Sequence, residues 1–179
     1  MSPVWHDPAP VVVGHRGAPH LARENTPASF AAALAAGASW VELDVRRSAD
    51  DALVVHHDPV TADGRPLVAR SADALAALGV WTLEEVLRRL PPGAGVDVEV
   101  KNTPGEPDHD EADMVVAALP SVLGDHAGGR PLLVSSFNPR TVAAAREGLP
   151  DAPTGLVHTG LQGVDAAVAL AGELGAQAV

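Results

Sequence analysis

The chain has 179 residues, enough for one domain with a sizeable core. A formal net charge of −11 excludes the basic footprint of a nucleic-acid-binding protein, and the absence of cysteine excludes disulfides and thiolate metal sites. Ala, Val and Leu dominate a 46% hydrophobic composition that has three Trp, two Phe and no Tyr, which suits helices packed on strands better than a β-sandwich.

Residues 1–10 carry no basic segment followed by an apolar run, so they do not resemble a signal peptide and are expected to be an extension to a domain over 11–179. No apolar stretch approaches the roughly 20 residues of a spanning helix. The expectation is a cytoplasmic protein with no membrane span. Val11-Val12-Val13 predicts a short buried strand ended by Gly14, with His15-Arg16-Gly17 on the turn that leaves it. Thr26-Pro27 opens a helix to about Ala36 by N-cap and first-turn proline, and Gly37 stops it.

Trp40-Val41-Glu42-Leu43-Asp44-Val45-Arg46 alternates with period two, so Val41, Leu43 and Val45 share one strand face and Trp40, Glu42, Asp44 and Arg46 the other. Two carboxylates on one face are costly to desolvate unless something balances them. A divalent cation does so, and hard cations prefer oxygen ligands. Leu53 to His57 reads as a second strand, and only Arg47–Ala52 separate the two. A parallel crossover needs about a dozen residues or more, so an antiparallel hairpin is expected. A turn at Asp50-Asp51 pairs Asp44 with His57, which sets His57 beside the acids and turns His56 away.

Asp58 to Arg70 reads as a polar loop overhanging a site, with Asp58 organising it. Ser71 caps a short helix through Leu78. Thr82 and Glu85 form a capping-box pattern before a helix that stops at Pro91-Pro92. Val96 to Lys101 repeats the acidic-strand design, with Asp97, Glu99 and Lys101 opposite three valines; Asp97 sits earlier on the strand, deeper than the other two. A loop over 103–110, helices over 111–119, 138–148 and 164–174, strands over 132–136 and 154–157, and the start of a strand at 176–179 complete the pattern. Strands alternating with helices predict an α/β fold with a mainly parallel sheet. There is no Gly-rich dinucleotide fingerprint. The polar residues fall instead near strand C-termini, where a (β/α)8 barrel places its chemistry.

His15-Arg16-Gly17, Glu24-Asn25-Thr26, Glu42-Leu43-Asp44, His57-Asp58, Glu99-Val100-Lys101 and Ser135-Ser136-Phe137 occur in this order. Together they resemble the glycerophosphodiester phosphodiesterase family from residue 11 to the end. The resemblance implies a TIM (β/α)8-type barrel, one divalent cation (Ca2+ or Mg2+), and hydrolysis of small-molecule glycerophosphodiesters to glycerol 3-phosphate and an alcohol, a step of glycerol and lipid metabolism. It implies Glu42, Asp44 and Glu99 as metal ligands, His15 and His57 as the acid–base pair, and Arg16 and Lys101 as phosphate contacts. Glu24-Asn25-Thr26 is read as positioning the first helix.

The charges suit those roles. A phosphodiester gains negative charge toward its transition state, which a cation and fixed donors stabilise. Two imidazoles titrate near neutral pH, so one can accept a proton while the other donates one. The attacking oxygen comes from water or from the adjacent glycerol hydroxyl. Two departures stand out. Ala52 follows Asp51 where the family has Gly, and a barrel of this type takes roughly 250 residues. The expectation is a barrel incomplete at its C-terminal end, lacking its last strand and helix, with an open edge available for self-association. Alternatives are a phospholipase D-like lyase of the same superfamily, or a barrel that binds metal or phosphodiester without turnover.

Overall fold

The structure, a computed structural model, describes residues 10–126, 129–161 and 163–179. The expected extension over 1–10 lies outside them except for Pro10.

The sheet is built outward from β2 (Trp40–Arg47), whose alternating pattern sends its valine and leucine face to one side. It pairs in parallel with β1 (Val13–His15) at one end and with β5 (Gly95–Val100) along its length. Next come β6 (Leu132–Ser136) and β7 (Thr154–Leu156), all parallel. On the β1 side of β2, the C-terminal half carries β3 (Leu53–Val55), antiparallel as the short connection requires. β3 in turn pairs with β4 (Trp81–Thr82). These seven strands form an α/β sheet of the TIM-barrel type that stays open among the described residues. Among the described residues, β7 is followed in the sheet by a parallel bridge from Gly155 to Ala178, where the tail over 176–179 suggested the start of a strand.

The helices lie on the valine face. They are α1 (Pro27–Ala35), α3 (Leu83–Arg89), α4 (Met114–His126), α5 (Pro139–Gly148) and α6 (Val164–Leu174), whereas the short α2 (Ala72–Ala76) packs Leu75 against Val54 and Leu67 in a separate cluster. The caps that mark their starts operate as expected. Thr26, Ser71 and Asn138 accept from first-turn amides, and Thr82 and Glu85 form a reciprocal capping box. The main core joins Val41, Leu43, Val45, Val96, Val98 and Val134 to Phe30, Leu83, Leu87 and Leu119. Burial of such side chains contributes about 1.5–3 kcal/mol each. At the base of the sheet, Trp40 lies opposite Gly95, and a Cβ there would meet its indole at 2.2 Å.

Three expectations are corrected. The first strand starts at Val13 and is not buried: it forms an edge with Val12 57% and Val13 42% exposed. α4 begins at Met114 rather than residue 111, because the Asp110 carboxylate takes the amides of Ala112 and Met114 and Asp113 adopts φ +50. The hairpin register is shifted by one. Ser48 N donates to Ala52 O around a three-residue loop whose last residue, Asp51, has φ +63. Val45 therefore pairs with Val55, and His56 rather than His57 donates its amide to Asp44 O, at 2.9 Å. Ala52 is not the left-handed residue of this turn.

Candidate metal and catalytic site

The parallel register of β2 and β5 sets Glu42 beside Asp97 and Asp44 beside Glu99. All of these project from the face opposite the main core with α1, α3, α4 and α5. Glu42, Asp44 and Glu99 are buried and each offers a carboxylate oxygen within 4.8 Å of the others. Asp97 is outside this cluster, one strand step earlier, where it accepts from Ser135 Oγ at 2.8 Å.

The loop after β1 supplies donors to this cluster. Arg16 sits at φ +54, and its backbone N–H donates to Glu42 Oε2 at 2.7 Å. Gly17, at φ +88, completes the turn, and a Cβ there would meet Ser29 Oγ at 2.4 Å. The Arg16 guanidinium reaches Asp44, with Nε 3.3 Å from Oδ2. His15 Nε2 lies 3.9 Å from Glu42 Oε2, with the ring largely exposed. Lys101 is buried between Asp44, whose Oδ1 is 3.0 Å from Nζ, and Glu99, to which it donates. Its ammonium also stands 5.4 Å from the centre of the Phe137 ring.

His57 lies beyond the end of β3 and still helps to stabilise the Asp44 carboxylate electrostatically. Its Nδ1 is 2.8 Å from Asp58 Oδ1. That contact favours the tautomer with the proton on Nδ1 and the lone pair on Nε2. His56 Nδ1 is engaged with the Asp58 carbonyl oxygen at 2.9 Å. The structure thus gathers Arg16, Glu42, Asp44, Glu99 and Lys101 into one contiguous set, with His15 beside Glu42 and His57 within electrostatic reach of Asp44.

Sequence reading missed two members of this neighbourhood. Asn25, at φ +57, donates from Nδ2 to Asp44 Oδ2 at 2.7 Å and accepts from Asp44 N at 3.3 Å. Asp58 orients His57 as well as organising its loop. Both belong to motifs already singled out, Glu24-Asn25-Thr26 and His57-Asp58, which was the available signal, although they were read there only as positioning the first helix and organising a loop.

The electrostatics divide the acids. Burial, with Asp44 and Glu99 nearby, pushes Glu42 up to about 9 despite the amide of Arg16. Burial also acts to raise Asp44, but Lys101 and the Asn25 amide outweigh it and hold that carboxyl below its ordinary value. Burial pushes Asp97 up to about 7 against the Ser135 hydroxyl. Lys101 lies above its ordinary value, because Asp44 and Glu99 outweigh its own burial.

The donor set fits a divalent cation. Glu42 Oε1 is buried and has no hydrogen-bond donor, and Asp44 Oδ1 has only the ion pair with Lys101. A buried acceptor left without a donor costs about 1–3 kcal/mol or more. A hard cation satisfies such an oxygen, and an all-carboxylate set suits Ca2+ or Mg2+ better than a soft metal. No helix among the described residues is long and apolar enough to cross a membrane.

Residues 15–178 match the glycerophosphoryl diester phosphodiesterase family. YhdW of Bacillus subtilis strain 168, which bears a glycerophosphodiester phosphodiesterase name, is 31% identical over 163 residues, covering 82% of this chain and 65% of its own. A glycerophosphodiester phosphodiesterase of the same strain is 26% identical over 169 residues, covering 80% and 58%. The chain therefore spans less than two thirds of the length of these curated relatives. Among solved structures, an Oleispira antarctica phosphodiesterase in complex with the product sn-glycerol-3-phosphate superposes with a TM-score of 0.76 at 29% identity, over 93% of this chain and 72% of that one. A glycerophosphodiester phosphodiesterase from Thermotoga maritima gives a TM-score of 0.72 at 25% identity, over 94% and 72%.

Proposed function

The chain belongs to the glycerophosphoryl diester phosphodiesterase family, and on that premise we propose that it is a metal-dependent hydrolase that converts glycerophosphodiesters to glycerol 3-phosphate and an alcohol. The observation that carries this reading is the convergence of three buried carboxylates from two strands, one of whose oxygens has no donor of its own.

In this reading Glu42, Asp44 and Glu99 hold one divalent ion, Ca2+ or Mg2+, which when bound supplies Lewis-acid stabilisation of the phosphate charge. The protein's own side chains do the rest. Arg16 presents planar donors to a phosphate oxygen, and Lys101 adds a point charge beside it. His15 and His57 share the proton transfers. One takes the proton of the attacking oxygen as its bond to phosphorus forms. The other gives a proton to the leaving alcohol oxygen as its bond to phosphorus breaks. The Asp58 carboxylate, on Nδ1 of His57, supports Nε2 as the reacting nitrogen.

The test is release of glycerol 3-phosphate from glycerophosphocholine, followed by phosphorus NMR so that a cyclic phosphate would also be seen. Turnover is expected with Ca2+ or Mg2+, none with a chelator, and none in His57→Ala. A folded sample that binds the cation and turns over no glycerophosphodiester overturns the reading. Accumulation of cyclic phosphate alone replaces hydrolysis by a lyase reaction.

A further inference from the structure

We propose that Arg46 is a positioning residue that holds His57 in register with the acidic cluster. The inference rests on the hydrolase reading for its catalytic consequence, and on geometry alone for the positioning itself. Arg46 follows Asp44 by one strand step on the same face of β2, and it is only 2% exposed. A fully buried guanidinium is strongly unfavourable unless its donors are matched by charge and hydrogen bonds.

Those donors are matched in a particular way. Nε donates to the backbone oxygen of His57 at 2.8 Å. Nη1 donates to Glu106 Oε2 at 2.9 Å and to Asp108 Oδ2 at 2.7 Å. The two carboxylates belong to the loop that leaves β5 directly after Lys101. Asn102 closes the base of that loop, accepting from Asp110 N at 2.8 Å and donating to Asp110 O at 2.9 Å. One rigid fork thus joins three segments: the strand carrying Glu42 and Asp44, the main chain of His57, and the loop following Glu99 and Lys101.

The hold on His57 matters because β3 gives it none. The ladder ends with Val55, and the last main-chain bond to β2 is that of His56 to Asp44. Beyond it, the Arg46 fork is what fixes the His57 carbonyl to β2. Asp58 sets the ring tautomer, whereas Arg46 sets where the backbone delivers the ring. A planar fork reaches the carbonyl and the two carboxylates together, and an ammonium is a single point that cannot.

The test uses Arg46→Lys, which keeps the charge opposite Glu106 and Asp108 and so keeps the loop neutralised. Arg46→Gln serves as a second variant should the lysine protein fail to fold. Three quantities are read: the nitrogen and carbon-bound proton resonances of the His57 ring, divalent-cation affinity by calorimetry, and the split between kcat and KM. The expected result is a shifted His57 ring signal and unchanged cation binding. With glycerophosphocholine, kcat should fall about tenfold to a hundredfold, as a displacement near 1 Å produces, while KM stays within about a factor of three. A merely structural contact would lower stability without moving the ring signal or kcat. An unmoved His57 signal in a folded variant overturns the proposal. If the unaltered protein turns over no substrate, the hydrolase reading fails, and the ring signal still decides whether Arg46 positions His57.

Discussion

Arg16 and Asn25 are both left-handed, at φ +54 and +57, and the amide of Asn25 donates to the carbonyl oxygen of Arg16 at 3.1 Å. Each delivers a donor to a different acid: the Arg16 backbone N–H to Glu42 and the Asn25 side chain to Asp44. Non-glycine residues in this region store on the order of 1 kcal/mol or more of strain. The strain is tolerated because the conformation points two donors inward at two buried acids. The loop after β1 is therefore the outer shell of the acidic cluster, not a simple connection to the first helix.

That relationship separates backbone from side chain at position 25. Asn25→Gly keeps the left-handed conformation at no steric cost and deletes only the amide. Its expected effect is a loss of divalent-cation affinity of about tenfold to a hundredfold, the range typical of outer-shell partners, with the fold retained. Calorimetric titration with Ca2+ and Mg2+ reads it. Unchanged affinity would assign Asn25 to loop geometry alone.

Gly17 is tested by the opposite kind of change. Gly17→Ala demands a left-handed alanine and places a Cβ 2.4 Å from Ser29 Oγ and 2.6 Å from the Ser29 carbonyl carbon. The Ser29 backbone cannot retreat without disturbing α1. We expect a loss of about 2 kcal/mol or more, seen as a lower urea midpoint with an unchanged slope. Because the turn aims the Arg16 amide at Glu42, cation affinity should fall too.

The sequence made the acidic strands readable because a period of two is visible without knowing the fold, and it runs through most of β2 and β5, strands of 8 and 6 residues. The direction of the β2–β3 hairpin was equally readable, since chain length forbids the alternative. Its register was not. That depended on whether Asp50-Asp51 made a two-residue turn or Asp51 closed a three-residue one, a choice fixed by one residue's φ. β4, with two residues, has no period to detect. Arg46 looked like one more polar residue on the acidic face, because its carboxylate partners lie 60 and 62 positions later. Contacts of that kind follow from loop placement and leave no mark in local pattern.

The raised Glu42 carboxyl has a consequence for stability in the absence of cation. Its folded value of about 9 lies above the ordinary 4.5, so between these limits the folded chain holds a proton that the unfolded chain has released. Stability from this group is present at low pH and lost as pH rises toward about 9. A bound divalent ion removes the penalty by favouring the carboxylate, and it displaces the proton. In chelator, the melting temperature is expected to fall between pH 6 and pH 8.5, with the gain on adding Ca2+ or Mg2+ larger at the higher pH. Glu42→Gln should flatten the chelator curve and reduce the gain. A chelator curve that rises over this interval, with no larger response to cation at pH 8.5, would contradict the assignment.

Asp58 offers the most direct check on the histidine chemistry. Its carboxylate lies 2.8 Å from Nδ1 of His57, yet its side chain is 65% exposed, so solvent screens part of the interaction. Asp58→Asn keeps the size of the side chain and can present its amide nitrogen to Nδ1, which favours the wrong tautomer. A buried orienting acid can matter far more, but at this exposure we expect kcat on glycerophosphocholine to fall about tenfold, within the lower part of what acid–base catalysis contributes. Cation affinity and KM should change little, since Asp58 touches neither the acids nor the phosphate donors. Steady-state kinetics across pH 5–9 would show the loss as a lower plateau. If kcat is unchanged while the melting temperature drops, Asp58 serves only to fold the loop after β3, and the orientation of His57 rests on the Arg46 fork alone.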